Sequence, residues 1–283
     1  MRDPSRRRES GASGLPRARK RLGQHFLVDR TALERIADAL APTESDTVVE
    51  IGPGRGALTD ILAARAKRVV AIELDRDLVP YLRARYATAG NVEVIERDVL
   101  EVKLADVAGP DFLLAGNVPY YITTPIIFHA LERPRPARAV YLVQREVAER
   151  IVSPPGSRTY GALSVNVQAL ATPELIAHVP AGAFRPPPSV ESAIIRLTPR
   201  PDPVVAPALE DAFQTFVQQA FGLRRKQMRR VLRTVARIDA ESAERVLAAA
   251  DIDPECRPET LAAGQFARLL VEMRRAEAIG RGS

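Results

Sequence analysis

The sequence predicts an α/β protein with a mostly parallel sheet, followed by a small helical domain. Short apolar runs rich in Val, Ile and Leu alternate with segments of helical periodicity up to about residue 200, as expected for a parallel sheet covered by helices. A glycine-rich turn joins the first strand to the next helix. A linker with four prolines, residues 199–207, precedes sequence that is helical to its end.

The composition excludes several classes of protein. The 283 residues suffice for one large or two moderate domains, and no apolar run approaches the roughly 20 residues that span a bilayer. The single cysteine, Cys256, excludes an internal disulfide and fits a reducing, cytoplasmic setting. The histidines His25, His129 and His178 lack the spacing of metal ligands, so no metal site is predicted.

The net charge of +6 is concentrated in two places. Residues 1–21 carry eight basic and two acidic side chains, and residues 224–237 carry seven basic side chains and no acid. Residues 1–19 are rich in Arg, Ser, Gly and Pro, so a disordered tail is predicted there. Two basic patches on an otherwise acidic protein suggest a polyanionic partner that is contacted at defined places. The alternative is that the charges serve solubility, and for residues 1–19 alone a solvated tail or a loose electrostatic role is favoured.

A glycine turn follows the first strand of the predicted sheet. The strand covers residues 47–51, the turn is Gly52-Pro53-Gly54-Arg55-Gly56, and a helix begins near Ala57. Its G-x-G-x-G spacing differs from the dinucleotide pattern G-x-G-x-x-G. The spacing suits a cofactor without a pyrophosphate, such as a methionine-derived sulfonium. The alternative is a tight strand-to-helix turn without a ligand.

Acidic residues end the next two strands. Residues 68–75 are predicted to form a buried strand that ends in acids, and Glu73 stands at the distance from Gly52 where a carboxylate meets ribose hydroxyls. Asp98 ends the predicted strand 91–98, where it either accepts a hydrogen bond from an adenine amino group or caps the next helical turn.

The fourth strand, residues 112–116, ends in Asn117-Val118-Pro119-Tyr120. The Asn117 oxygen and a main-chain carbonyl at Val118 or Pro119 can each accept an N–H, while Tyr120 stacks on a ring. This combination suits recognition of a planar amino group. The alternative is a proline turn with a core tyrosine. Three further strands are predicted at residues 139–143, 175–179 and 193–197.

Two later segments carry candidate contacts to a nucleic acid. Three prolines at 186–188 stiffen the loop after Phe184, so this ring is either a fixed stacking platform or a plug in the core. A helix is predicted over residues 223–237, with Arg225, Arg229 and Arg233 one turn apart. Like charges at this spacing repel, which favours an external counter-charge such as phosphate over a merely solvated face. The other helices of this region are predicted at residues 209–221, 240–250 and 259–279.

Taken together, these pieces resemble the ribosomal RNA adenine N6-dimethyltransferase family, and most closely its small-subunit branch. The matching segments, in the order of the family, are Leu22–Leu27, Glu50–Thr59, Asn117–Tyr120, Phe184–Ala193, Phe221–Lys226 and Arg257–Leu261. The resemblance covers roughly residues 20–270. Two departures are His25, where many members have Asn, and Val118, where Leu is usual.

The resemblance implies a Rossmann-like class I methyltransferase domain over residues 20–200 and a helical RNA-contacting domain over residues 201–283. The seven-stranded sheet would be mostly parallel with an antiparallel last strand. S-adenosylmethionine would be the methyl donor, with no metal. The implied product is N6,N6-dimethyladenosine at two adjacent adenosines near the 3′ end of small-subunit rRNA. The partner would be this rRNA or a pre-30S particle, and the protein a monomer that does not bind membranes.

The resemblance also assigns roles to individual residues. His25 and Leu27 would close over the cofactor, Gly52 would lie beneath its methionine part, Glu73 would hold the ribose, and Asp98 the adenine amino group. Asn117, which also borders the cofactor, would hold the target adenine together with Pro119, Tyr120 and, on its far side, Phe184. The implied RNA contacts are Arg224, Arg225, Lys226, Arg229 and Arg233.

The mechanism expected from these roles is positioning of a poorly nucleophilic amine, without a general base before transfer. Three other readings stay open. They are a large-subunit rRNA methyltransferase that confers macrolide resistance, an RNA-binding assembly or transcription factor with dispensable chemistry, and an NAD-dependent dehydrogenase. The wrong glycine spacing makes the last a distant alternative.

Overall fold

The computed structural model describes residues 16, 18–19 and 23–280, and their backbone contacts fall into two compact units. The first unit comprises residues up to 145 together with 176–196, and the second comprises 146–175 and 197–283. No helix in these described ranges is long and apolar enough to cross a membrane.

The first unit is built on strands and their connecting helices. Its strands begin with β1 (Phe26–Leu27), β2 (Thr47–Ile51), β3 (Arg68–Glu73), β4 (Val92–Glu96), β5 (Leu113–Asn117) and β6 (Arg138–Gln144). They continue with β7 (Ala171–Val179, of which 171–175 fall in the second unit), β8 (Phe184–Arg185) and β9 (Ser192–Pro199, of which 197–199 fall in the second unit). Its helices are α1 (Arg30–Leu40), α2 (Ala57–Ala63), α3 (Leu78–Arg85), α4 (Leu104–Ala108) and α5 (Thr123–Ala130).

Seven of these strands form one sheet in the order β4-β3-β2-β5-β6-β9-β7. The pairs β2–β3, β3–β4, β2–β5 and β5–β6 are parallel. This confirms the predicted mostly parallel sheet with an antiparallel last strand. The last strand is antiparallel because β9 lies beside β7 and is joined to it by residues 180–191 without a crossover helix, which a parallel pair would need.

The strand register brings the predicted site residues to one edge of the sheet. Ile51, the residue before Gly52, pairs with Ile72 on β3 and with Gly116 on β5. Gly52 directly follows β2, Glu73 ends β3 and Asn117 ends β5, so these three residues lie at the ends of neighbouring strands. The central strands are apolar and buried along their length, as expected for a parallel sheet with helices on both faces.

The second unit is helical. It contains α6 (Arg145–Val152, of which Arg145 falls in the first unit), α7 (Ala162–Leu170), α8 (Glu210–Gly222), α9 (Met228–Val235), α10 (Ala240–Ala249) and α11 (Ala263–Gly280). In its core the rings of Phe216 and Phe266 pack edge to face, with their centroids 5.9 Å apart. The Tyr160 hydroxyl donates to the Leu261 carbonyl at 2.9 Å.

The boundaries of the two compact units differ from the single domain boundary at residue 200 that the sequence analysis predicted. Residues 146–175 group with the C-terminal helices, because Tyr160, Val165 and Ala169 are buried in the same apolar cluster as the side chains of α8 and α11. The assignment of separate catalytic and RNA-contacting domains stays a prediction.

The predicted helix over residues 223–237 is shorter than expected. It begins only at Met228, after Gln227 in an extended conformation. The backbone N–H groups of Met228 and Arg229 donate to the Cys256 and Pro254 carbonyls, so tertiary contacts fix this start. Arg225 therefore lies before α9 and not one turn from Arg229 on its face, contrary to the prediction.

A disordered tail was predicted over residues 1–19, but residues 1–15 and 17 lie outside the described residues. Leu22, the first residue of the segment Leu22–Leu27 that resembles the family, also lies outside them. The three described tail residues include Pro16, whose carbonyl accepts from Arg55 at 2.7 Å, and Arg19, which pairs with Asp75 at 3.0 Å and with Asp77.

Candidate active site

A cleft opens at the carboxyl ends of β2, β3, β4 and β5, where open α/β sheets bind ligands. It lies within the first unit. Eight of the nine predicted catalytic and cofactor residues line it: His25, Leu27, Gly52, Glu73, Asp98, Asn117, Pro119 and Tyr120. The ninth, Phe184, is not among the lining residues.

The glycine turn is tight at two positions that a side chain could not occupy. A Cβ added to Gly54, whose φ is +59°, would stand 2.9 Å from the Phe26 ring. A Cβ added to Gly56, whose φ is +86°, would stand 2.4 Å from the Tyr86 hydroxyl. Glycine is required at both positions because Phe26 and Tyr86 fill the space that a side chain would need.

Glu73 is held by this turn. Its two carboxylate oxygens accept separate backbone N–H groups, from Gly54 at 3.2 Å and from Asp75 at 2.8 Å. The side chain is only 6% exposed, and burial raises its pKa. The structure thus fixes the carboxylate at the end of β3, where the sequence predicted a ribose contact.

Glu50 is a second buried carboxyl group in the cleft lining, and the sequence analysis gave it no role. It is 1% exposed, and its Oε2 atom has no hydrogen-bond partner among the described residues. Burial, with smaller contributions from Glu73 and Asp60, raises its pKa to about 8. A buried carboxyl without a partner is costly, so a polar or cationic ligand group in the cleft would stabilise it.

Asp98 fulfils the capping alternative and still lines the cleft. Its Oδ1 accepts from the Leu100 N–H at 3.0 Å, at the start of a short 3₁₀ turn. A carboxylate has two oxygens, so Oδ2 remains as an acceptor.

The Asn117 amide is oriented by one defined hydrogen bond. Its Nδ2 donates to the His25 carbonyl at 2.9 Å. This hydrogen bond directs the NH₂ group of the amide toward the residue before β1. The Oδ1 atom of Asn117, which lines the cleft, remains as a hydrogen-bond acceptor.

The backbone carbonyls of Val118 and Pro119 differ in whether they already accept hydrogen bonds within the protein. The Pro119 carbonyl accepts from the Ile122 N–H and the Thr123 hydroxyl, both at 3.2 Å. The Val118 carbonyl accepts no hydrogen bond from any of the described residues. Of the two carbonyls considered from the sequence, Val118 is the one left to accept from a ligand.

Tyr120 is fixed at both ends of its side chain. Its hydroxyl is hydrogen-bonded to Ser192 Oγ at 2.6 Å, and its ring lies nearly parallel to the His25 ring with centroids 6.0 Å apart. His25 is anchored in turn by Nδ1 to the Pro186 carbonyl at 2.9 Å. The half-buried Tyr120 ring is therefore a rigid, flat surface beside Asn117.

Phe184 lies in the core, which is one of the two alternatives left open from the sequence. It is fully buried on β8, which pairs with β1 so that Phe184 lies opposite Leu27. Its ring belongs to the apolar core with Leu33 and Ile36. Stacking of this ring on the target adenine stays a prediction, and it would require the ring to leave its buried position.

Tyr121 is an aromatic cleft residue that the sequence analysis missed. It follows the Asn117–Tyr120 motif directly, lines the cleft, and is 60% exposed. The available signal was a large aromatic residue next to the motif, where no core position was predicted.

The basic residues near α9 in the second unit fall into two groups. Arg224 pairs with Glu259 at 2.5 Å and donates to the Arg158 carbonyl, and Arg229 lies 3.9 Å from Glu255. The predicted RNA contacts whose side chains make no ion pair or hydrogen bond with a described residue are Arg225, Lys226 and Arg233, and all three are exposed.

The described residues contain no cluster of three or more His, Cys, Asp or Glu that could hold a metal ion.

Comparisons with known proteins identify relatives along almost the whole chain. A sequence profile described as ribosomal RNA adenine dimethylase matches residues 16–272. Proteins from Bacillus cereus and Bacillus anthracis named ribosomal RNA small subunit methyltransferase A are 42% identical over 261 residues, which is 89% of this chain and 89% of theirs.

Two solved structures are also similar to this chain over most of its length. A dimethyladenosine transferase from Plasmodium falciparum matches with a TM-score of 0.78 and 27% identity, over 89% of this chain and 98% of that one. The 23S rRNA methyltransferase ErmE matches with a TM-score of 0.70 and 28% identity, over 88% of this chain and 99% of that one.

Proposed function

This chain belongs to the ribosomal RNA adenine dimethylase family, and we propose that its substrates are two adjacent adenosines near the 3′ end of small-subunit rRNA. Membership makes it an S-adenosylmethionine-dependent enzyme that methylates adenine N6 in rRNA. The small-subunit substrate is supported by the 42% identity to relatives named for that activity. The observation that carries the proposed mechanism is the oriented Asn117 amide.

The cleft fits S-adenosylmethionine. Gly52, which lines the cleft at the end of β2, would lie beneath the methionine part of the cofactor, and the Glu73 carboxylate would hold the ribose hydroxyls. Asp98 Oδ2 would accept from the cofactor's adenine amino group. The unpartnered Glu50 oxygen suits a ligand that carries positive charge. His25 and Leu27 would flank the cofactor from β1.

The chain's own residues would act by holding the target amine. The lone pair of adenine N6 is delocalised into the ring, so the amine is a weak nucleophile. Asn117 Oδ1 and the Val118 carbonyl would each accept one N6–H, which favours a pyramidal nitrogen with its lone pair directed away from both. The bound cofactor supplies a methyl group on a positively charged sulfur as the electrophile.

Positioning would account for most of the rate enhancement, since no side chain in the cleft is needed to remove a proton before transfer. Extruding the base from its stack costs a few kcal/mol. Stacking on the fixed Tyr120 ring would return about 1–3 kcal/mol of that cost. The second methylation requires that the amine site accept N6-methyladenine, which retains one N–H for Asn117 or Val118.

We further propose that the helical domain contacts the RNA backbone through Arg225, Lys226 and Arg233. These exposed cations have no partner among the described residues, so phosphates would supply the counter-charge. Arg224 and Arg229, which are paired with acids, would contribute less. The proposed setting is a monomer acting on small-subunit rRNA or its assembling particle in the cytoplasm.

A large-subunit substrate is the second candidate, because the ErmE structure is also similar over nearly the whole chain. The two candidates separate in one experiment. The protein is incubated with labelled S-adenosylmethionine and with small or large ribosomal particles that lack the native modification, and the RNA is digested to nucleosides.

N6,N6-dimethyladenosine in the small particle, mapped to two adjacent 3′ positions, supports the proposal. Label confined to large-subunit RNA overturns it in favour of the second candidate. The RNA contacts are tested separately by replacing Arg225, Lys226 and Arg233 with Gln. The variant should bind particles more weakly and show a shallower salt dependence, whereas replacing the paired Arg245 on α10 should leave both unchanged.

A further inference from the structure

Tyr121 is the most exposed large apolar or aromatic side chain among the described residues, with 60% of its surface accessible. Aromatic rings of this size usually bury most of their area, so an exposed one beside a binding cleft indicates a contact surface for a ligand. Tyr121 stands in the short 3₁₀ turn Tyr120–Ile122, directly after the residues that hold the amine.

The ring is supported on one side only. A Cβ added to Gly23 would stand 3.5 Å from Tyr121 Cδ1 and 3.6 Å from Cε1, so the ring edge packs beside the glycine backbone. The Tyr121 hydroxyl makes no hydrogen bond to a described residue. The turn therefore fixes where the ring lies while leaving most of it open.

The other aromatic rings in or next to the cleft are less exposed. Phe26 is buried beneath the Arg55 guanidinium, whose carbon lies 4.4 Å from the ring centroid. Tyr120 is half-buried and faces His25, and Phe184 is withdrawn into the core. Tyr121 is thus the most exposed aromatic side chain of the cleft lining, at 60%, and it directly follows the half-buried Tyr120 in the chain.

We propose that Tyr121 is a stacking platform for the RNA base next to the adenine held in the cleft. The inference rests on the proposed function, since it presumes an extruded adenine at Asn117. When a base leaves its stack, its neighbour loses a stacking partner, and an aromatic ring at the mouth of the cleft can replace it. Stacking of this kind tolerates any base, so Tyr121 would hold the strand without reading its sequence.

The first test compares Tyr121→Ala with Tyr121→Phe, using unmodified small-subunit particles as substrate. We expect the Ala variant to raise the KM for particles about tenfold, which corresponds to about 1.4 kcal/mol and lies within the range of one stacked base. The Phe variant keeps the ring and should retain the native KM. The Kd for S-adenosylmethionine should be unchanged in both, which also shows that the variants fold. Leu100→Ala, at an exposed apolar residue outside the cleft lining, should have no effect.

The second test locates the stacked base. Particles are reconstituted with 2-aminopurine at the neighbour of the target adenine, which itself keeps its N6 amine, and fluorescence quenching is measured on binding. Quenching at the neighbour should be seen with the native protein and lost in Tyr121→Ala.

Three results would overturn the inference: a native KM for Tyr121→Ala, a weakened cofactor Kd with unchanged particle KM, or retained quenching at the neighbouring base. Failure of the proposed function looks different, because the native protein itself would then transfer no methyl group to the small particle.

Discussion

Replacing Glu73 with Gln should weaken cofactor binding by about 10- to 150-fold. The carboxylate uses both oxygens to accept backbone N–H groups, from Gly54 and Asp75, and it is the acceptor proposed for the ribose hydroxyls. A glutamine has one oxygen and one NH₂ group, so one of the two backbone N–H groups would face a donor. A hydrogen bond to a charged group contributes about 1.5–3 kcal/mol, which gives the stated range of affinity.

The same substitution should lower the free energy of unfolding by about 1–3 kcal/mol, because it leaves a buried backbone donor unsatisfied. Titration calorimetry with S-adenosylmethionine measures the first effect, and denaturant unfolding measures the second. Glu96→Gln is the matched control, since Glu96 lies opposite Glu73 on β4 but is exposed and pairs with Arg76. A Glu73→Gln variant whose cofactor Kd stays within about twofold of the native value would refute this reasoning.

Two further predictions concern buried groups in the first unit. The folded protein holds the Glu50 proton up to about pH 8, whereas the unfolded chain loses it near pH 4.5, so this group's contribution to stability is complete below pH 4.5 and is lost as the pH rises to 8. The thermal stability of Glu50→Gln relative to the native protein should therefore increase between about pH 5 and pH 8.5, and a difference that is constant with pH would contradict this. Phe184→Ala should lower the free energy of unfolding by about 3–5 kcal/mol, as expected for a large core side chain, and denaturant unfolding checks it. An undiminished stability combined with a raised KM for RNA would instead restore the stacking role.

The sheet and most of the cleft could be predicted from the sequence, because both depend on local pattern. Alternating strand and helix segments fix a parallel sheet, and polar residues that end such strands must meet at one edge. Gly52, Glu73, Asp98 and Asn117 were found in this way, each at the end of a strand.

The features that were missed depend on contacts distant in sequence. Phe184 is buried because β8 pairs with β1, more than 150 residues earlier, and no local pattern records that pairing. The start of α9 at Met228 is fixed by the carbonyls of residues 254 and 256, which the helical periodicity of residues 223–237 does not reveal. The availability of the Val118 carbonyl likewise depends on how residues 119–123 turn, which a motif alone cannot give.

The central claim is that the Asn117 amide holds the target amine, and Asn117→Ala tests it most directly. Single-turnover methyl transfer to small-subunit particles is measured alongside the Kd for S-adenosylmethionine. The account predicts that transfer falls by a factor on the order of a hundred or more while the cofactor still binds. A variant that transfers methyl groups at nearly the native rate would contradict it.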